Sequence, residues 1–371
     1  MDSTDSLVER SGSLKRQLLE FAREPRFDKQ FRQEIRKRFG KVVVLEREED
    51  LHAFYDWFLQ EFRLHDGRTL IDCYLDTQRS LPDDERTFLL GWRNVREGLF
   101  EVTGRDGAAL LAENLIDEMS YRIRANVGPQ AFDQMPAGSF ISTRIVPVND
   151  EWLISGPVRT FPAIARDDVL HVAAQVAASS PDLVFHNPDK VAAGWRQQRD
   201  QYAGFVRHFG KDEVTVSVEE LPTVMANFWK TYTGGVSTGP DTDTDWLRVS
   251  AETVGIIYDE TAGLGMYADY ALAQEAFDNP DLMRERRYKE TIKSYLDDDS
   301  VDPIPLQRLA ARHPGTVDRV FRAALGKPAF RWETDGERLL RERKSSWYAR
   351  PPLPRVTVLS DRLAAVLRRE S

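Results

Sequence analysis

The sequence holds one cysteine, Cys73, in 371 residues. No disulfide can close within the chain, and no cysteine-based zinc site can be assembled. This usage fits a reducing compartment. Long apolar runs are missing too. Nothing approaches the ~18–20 residues that span a bilayer, and the opening MDSTDSLVERSGSLKRQ lacks the apolar centre of a secretion signal. A cytoplasmic location without membrane attachment is the expectation. Positive charge is not in excess: the net charge is −9. That argues against a generic nucleic-acid coat or a membrane-surface protein, both of which need a strong positive field, but leaves room for a local basic patch. The phosphate loop, the dinucleotide fingerprint and the serine elbow are all absent. The six histidines, His52, His65, His171, His186, His208 and His313, include no pair in metalloprotease spacing. His65 and His186 fall in expected loops, where they read as turn or capping residues. No cofactor and no metal is expected, and no catalytic residue is assigned.

What is present describes a globular chain, 41% hydrophobic and 30% charged. Its length exceeds one ordinary core and implies two to four domains. The first dozen residues read as disordered. Leu14 to Phe39 reads as helix, broken at Pro25, with Leu18, Phe21, Phe27, Phe31 and Ile35 at helical spacing. Val42 to Leu45 reads as a short strand. A helix with an aromatic face (Leu51, Phe54, Tyr55, Phe58, Phe62) follows, and then PDDERTFLLGWRNV gives another. Beyond Gly98 the texture changes to short alternating runs with turn residues at roughly 8–12-residue spacing, including the hairpin signal RDGA. Residues 97–165 are read as a small antiparallel barrel of the OB or SH3 type. Helical texture returns at Asp167, TVGIIYDETAGLGMYADY reads as a second hairpin, and the remainder reads as helices separated by prolines. The expected fold is α+β, with helical segments and two related αβα modules flanking the barrel and a mostly helical C-terminal region. Its expected parts are 1–96, 97–165, 166–240 and 241–371.

The two modules come from an ungapped self-similarity at an offset of 170 residues, FGKVVVLEREEDLHAFYDWFLQEF from Phe39 and FGKDEVTVSVEELPTVMANFWKTY from Phe209. Both read as helix, glycine stop, strand, acidic turn, helix. Glycine ends the first helix in the left-handed cap, and the acidic pair favours the positive end of the next helix dipole. Two explanations stand: a duplicated module, or punctuation that any helix-to-strand junction imposes.

The most chemical-looking stretch, GPDTDTDWLRVSAE, alternates Asp241, Asp243 and Asp245 and places Glu252 at calcium-loop spacing. Yet Trp246 stands where such a loop needs glycine, and Arg248 where it needs an apolar residue. It reads as a solvated acidic loop. The positive signal is basic. KQFRQEIRKRFGK carries Lys29, Arg32, Arg36, Lys37, Arg38 and Lys41 against Glu34. ERLLRERKSSWYARPPLPR carries Arg338, Arg341, Arg343, Lys344, Arg350 and Arg355, with Trp347 and Tyr348 interleaved. Cations contact phosphates and aromatic rings stack on bases, and Arg122, Arg124 and Arg144 lie in expected strands. The competing reading is that these cations only solvate helix faces and pair with the abundant acids.

The segments FYDWFLQEFRLHDGRTLIDCYL, GLFEV, GSFISTRIVPVNDEWLISGP and FVRHFGKDEV look like those of a group of bacterial cytosolic proteins with no assigned activity. The likeness covers about the first two thirds of the chain. Some similar proteins carry a zinc-binding Cys/His tail. This chain has none, so the resemblance implies no metal and no catalytic residue. The expected function is non-enzymatic binding of RNA or a ribonucleoprotein through Lys29, Arg32, Arg36, Lys37, Arg38, Lys41, Arg341, Lys344, Trp347 and Tyr348. The alternative is a protein partner docked on the aromatic helix and ARPPLPR. A hydrolase using Asp259, Glu260, Asp269 or Asp297 to Asp299 with a metal ranks last.

Overall fold

The computed structural model describes residues 4–40, 48–64, 66–232, 251–349 and 351–367. Lys41, the expected strand Val42 to Leu45, His65, Arg350 and the acidic stretch through residue 250 lie outside them. The chain divides into two compact units. The first comprises residues 1–190 with 358–371, and the second comprises 191–357.

The first unit begins with five helices: α1 (Thr4–Ala22), α2 (Asp28–Phe39), α3 (Glu48–Gln60), α4 (Leu70–Thr77) and α5 (Asp83–Gly91). The expected disorder of the first dozen residues is corrected. Leu7, Val8, Ser11, Leu14 and Leu18 recur at helical spacing and are all buried, so α1 starts at Thr4. The short α4 has no counterpart in the sequence reading. It starts with a capping box: the Asp72 backbone N–H donates to Thr69, and the Asp72 carboxylate accepts from the Thr69 backbone. The core of this helical layer is aromatic and includes Phe21, Phe54, Phe58, Tyr74, Phe88 and Trp92.

Six strands follow: β1 (Arg96–Asp106), β2 (Ala109–Asn114), β3 (Ser120–Arg124), β4 (Phe140–Val148), β5 (Glu151–Ile154) and β6 (Arg159–Phe161). Their order is β1-β2-β3-β5-β4-β6, and β1 also pairs with β4, so five strands close on themselves. Closure depends on the long β1. Its first half pairs with β4 and its second half with β2, and a register shift between Val102 and Gly104 bends it. β3 and β5 run parallel while the other barrel pairs are antiparallel. This is a small closed five-stranded barrel. Phe100, Val102, Leu110, Tyr121, Ile123, Ile141 and Ile145 fill it, and Phe132, from the single turn Pro129–Phe132, completes the filling. Residues of α6 (Arg166–Ser179) and of the helix Asp361–Leu367 share a further core with Leu99 and Phe140.

α7 (Pro181–Val184) leads to the long α8 (Pro188–Phe209), which starts in the first unit and continues into the second. Gly210 ends it at φ 75°, its N–H donating to the Val206 carbonyl at 2.8 Å. Gly40 ends α2 with a 2.9 Å bond from its N–H to the Arg36 carbonyl and a positive φ of 82°, but its ψ of −179° lies outside the left-handed cap expected there. β7 (Glu213–Ser217), α9 (Leu221–Tyr232), β8 (Thr253–Asp259) and β9 (Gly263–Ala268) form a helix-backed sheet in the order β7-β8-β9. Helices from Tyr270 onward then build a separate core around Phe277, Ile292, Leu306, Val320 and Phe321.

Gly255 in β8 has no room for a side chain, because a Cβ there would lie 2.4 Å from Cγ of Tyr270, which is fully buried. Gly255→Ala is expected to cost the second unit about 1–3 kcal/mol through overpacking. A urea midpoint equal to that of the parent protein would refute this.

Candidate functional site

Two features of the first unit carry chemistry. The first is α2. Phe31, Ile35 and Phe39 turn inward and pack on the aromatic core. At 3.6 residues per turn, Lys29, Arg36 and Lys37 then fall on the opposite half of the helix and Arg32 on the flank of the inward stripe, and all four are exposed. Arg32 pairs with Asp28 at 3.4 Å and Lys37 with Glu34 at 2.6 Å, both exposed pairs of small energetic weight. Arg38 is exposed on the flank of the inward stripe, close enough to act electrostatically on Glu97 and Arg144.

The other expected contact residues belong to the second unit and are used locally. Arg341 pairs with Glu337 at 2.8 Å and stacks its guanidinium 4.8 Å from the Tyr348 ring centre. Trp347 is covered in the same manner by Arg355 at 4.9 Å. Lys344 is only 1% exposed and donates to the Asp298 carbonyl, and burial pulls its pKa down. Its charge is therefore not offered to a surface ligand. Arg338 and Arg343 pair with Asp335 and Asp297 at 2.7 and 2.6 Å.

The strand arginines are also matched by acids. Arg122 bonds Asp106 and Glu151, and Arg124 bonds Glu151 and Asp5. Arg144 is buried and held by Glu61 and by Glu97 at 2.6 Å, and desolvation brings its pKa down to about 10. The outer face of β3 is thus close to neutral, whereas the five cations of α2 (Lys29, Arg32, Arg36, Lys37 and Arg38) stand against two acids of the same helix, Asp28 and Glu34.

The second feature is a cavity of about 310 Å³ lined by α1, α3, Trp92 and the barrel's β4–β5 end. Asp56, on α3, is 3% exposed and takes an ion pair from Lys15 of α1 at 2.5 Å. Lys15 also donates to the Ser155 carbonyl, and Gln60 donates to the Ser155 hydroxyl at 2.5 Å. Burial raises the Asp56 pKa above the ordinary carboxylate value, against the opposing pull of Lys15, Arg144 and His52. Trp92 lines the cavity at 3% exposure, and its indole N–H has no protein acceptor. Val146, Leu153, Ile154 and Pro157 supply apolar wall, while the exposed His52 and Asn126 stand at the mouth. The sequence reading assigned none of Lys15, Asp56 and Trp92. The available signal was a charged residue, Asp56, set among the aromatic positions of α3.

The remaining candidates have structural employment. Asp259 caps the turn at Thr261 and Ala262 and meets Arg308, which together hold its pKa below the usual range despite its burial. Asp269 accepts from the Glu252 backbone, and Asp298 caps Ser300. Among the described residues no three His, Cys, Asp or Glu side chains converge to hold a metal ion. His186 lies 4.0 Å from the buried Asp117, and desolvation lowers its pKa to about 4, leaving a neutral imidazole at neutral pH. In the proline-rich segment Pro354 is buried, and the Arg355 backbone donates to Gln198 at 2.6 Å.

Fold and site therefore define an α+β protein whose first unit joins a helical layer, basic on one helix, to a closed small barrel, with a polar cavity at their junction. Residues 13–182, which lie wholly in that unit, match a family of unknown function, DUF7986. The matched stretch covers the basic face of α2 and every cavity residue except Ser11. No curated protein and no solved structure matches the chain. No helix of the described residues is long and apolar enough to cross a membrane.

Proposed function

We propose that the first unit binds single-stranded RNA, free or within a ribonucleoprotein, along the outer face of α2. The observation that supports this reading is the set of four exposed cations, Lys29, Arg32, Arg36 and Lys37, on a helix whose inward stripe is anchored in the core. Phosphate recognition needs cations held at fixed spacing, and an anchored helix supplies that without ordering a loop. The neutralised β3 face gives no comparable attraction, so the barrel serves first as the support. Lys41, next in sequence, would extend the same basic run. The cytoplasm, where RNA and reduced thiols coexist, is the compartment this reading implies. We also read the two helix–glycine–strand–helix segments as copies of one module, supported by their matching positive-φ glycines and by Phe58 and Phe228, both fully buried at equivalent positions.

Fluorescence anisotropy with labelled single-stranded RNA tests the binding. Four phosphate contacts on a single strand give a slope of log K against log salt of about −3. Combined Arg32→Glu, Arg36→Glu and Lys37→Glu should weaken binding at low salt by at least about tenfold and flatten that slope. Equal affinity and slope in the variant would remove α2 as the interface. No binding by the parent protein at low salt would remove the function.

A further inference from the structure

The three-stranded sheet of the second unit ends on β7. At one end of this strand the Asp212 carbonyl accepts from the Tyr258 N–H at 2.9 Å, and at the other the Val218 N–H donates to the Glu252 carbonyl at 3.2 Å. The register between them is unbroken, so Val214 and Val216 also turn their backbone groups toward β8. The N–H and C=O groups of Glu213, Thr215 and Ser217 point away from it. Ser217 is closed off by Glu220, whose carboxylate accepts from the Ser217 N–H and whose own N–H donates to the Ser217 carbonyl. The N–H and C=O groups of Glu213 and Thr215 have no hydrogen-bond partner among the described residues.

A cavity of about 490 Å³ beside Lys211, Asp212, Glu213 and Thr215 leaves room along this stretch. The strand has neither proline nor bulge, two of the devices that guard a sheet edge. Its outward residues are also held in place. Thr215 donates to Gln274 and Gln274 donates to Glu213, both at 3.1 Å, while Arg312 neutralises the Glu213 carboxylate.

An incoming strand must set a donor and an acceptor against each of Glu213 and Thr215, and β7 itself fits. Laid antiparallel to a second copy about an axis at Val214, Glu213 of each copy stands opposite Thr215 of the other, and the two pairs exchange four backbone hydrogen bonds. Val214 meets its own copy at the axis, a close β-branched pair. Lys211 then stands opposite Ser217 of the second copy, next to the exposed acidic turn Glu219–Glu220. Lys211 and Glu219 are both exposed, and neither has an ion pair among the described residues. Symmetry makes this contact twice. The neighbouring registers are worse. An axis at Glu213 sets two carboxylates opposite each other, and an axis at Thr215 spends the outer bonds on Ser217, which Glu220 already occupies.

We propose that the chain associates with a second copy of itself through β7, in the antiparallel register centred on Val214. The interface is small, so the dimer is weak and depends on concentration. It lies in the second unit and does not rest on RNA binding by α2.

Sedimentation equilibrium of the full chain across the micromolar range should show a monomer–dimer equilibrium. Lys211→Glu and Glu219→Lys should each weaken it by about fivefold, because each turns two attractive contacts into repulsive ones. Combined, they should restore it. Both side chains are exposed, so these changes spare the fold. Val214→Cys in a Cys73→Ser background should form a disulfide-linked dimer on mild oxidation, since Val214 faces itself across the axis. Val216→Cys, which faces Asp212 of the second copy, should not. A parent protein that stays monomeric throughout would overturn the proposal and leave the edge to solvent or to another chain. A dimer that ignores both single charge reversals and does not crosslink at Val214 would overturn it equally, because it must use another surface.

Discussion

Lys15→Met is expected to destabilise the first unit by about 3 kcal/mol at neutral pH, and by much less at pH 4. The Asp56 side chain is 4% exposed and its close cation is Lys15, so methionine would fill the stem's volume but strand a buried carboxylate. Breaking a buried pair from one side typically costs about 3–5 kcal/mol. The lower end applies because the Lys15 side chain is 30% exposed, so part of the pairing is already exchanged with water. The pH dependence follows from the direction of the Asp56 shift. Burial already holds its folded pKa above the ordinary carboxylate value, and losing Lys15 raises it further. Ionisation of Asp56 therefore opposes folding. That opposition is absent below the unfolded value, grows as pH rises through the window between the unfolded and folded values, and is complete above both. Urea denaturation of parent and variant at pH 7 and pH 4 measures the effect, because titrations common to both proteins cancel in the difference. Adding Asp56→Leu to Lys15→Met should restore most of the loss at pH 7. A variant equally destabilised at both pH values, and not rescued by the second change, would show that Lys15 acts through packing rather than charge.

Phe54→Ala is expected to cost about 3–5 kcal/mol and to weaken RNA binding without touching a cation. Phe54 is fully buried at the centre of the aromatic cluster. Its ring lies 5.4 Å from Phe31 and 5.8 Å from Phe39, both on α2, and 5.8 and 6.1 Å from Trp57 and Phe58 on α3. It is thus a principal tie between the core and the helix that carries Lys29, Arg32, Arg36 and Lys37. No residue of α2 is itself fully buried, so the helix depends on contacts of this kind more than most. Truncation leaves a cavity that the rigid rings cannot collapse into, which places the cost at the upper end of the large-to-small range. Where the variant stays folded, amide exchange in α2 should accelerate more than exchange in the barrel strands. RNA affinity should fall while the salt slope keeps its sign. Uniform acceleration across the unit, with RNA affinity unchanged, would mean that α2 is held by other contacts.

How much of this was written in the sequence differs from element to element. The barrel was legible because a strand alternates with period two and turn residues punctuate it, both local signals. The positive-φ glycines at the ends of α2 and α8 were legible for the same reason, since only glycine adopts positive φ freely. The α2 cations were legible because the 3.6-residue period separates Phe31, Ile35 and Phe39 from Lys29, Arg36 and Lys37. The helical start at Thr4 was missed because its polar residues outnumber the apolar stripe of Leu7, Val8 and Leu14, which gains its meaning only from the core it meets.

The sequence by itself determined the α+β class, the single-thiol chemistry and the basic helix, since each depends on composition or on neighbours a few positions apart. Only the tertiary structure decided which charges remain available. Arg124 meets Asp5 across 119 positions, and Lys15 meets Ser155 across 140. Charge cancellation and cavity formation depend on distance in space, and a chain's local pattern does not encode which remote carboxylate will reach a given arginine. For the same reason Lys344, basic and surface-like in sequence, is buried against Asp298, while Asp56, one acid among many, became the floor of a cavity.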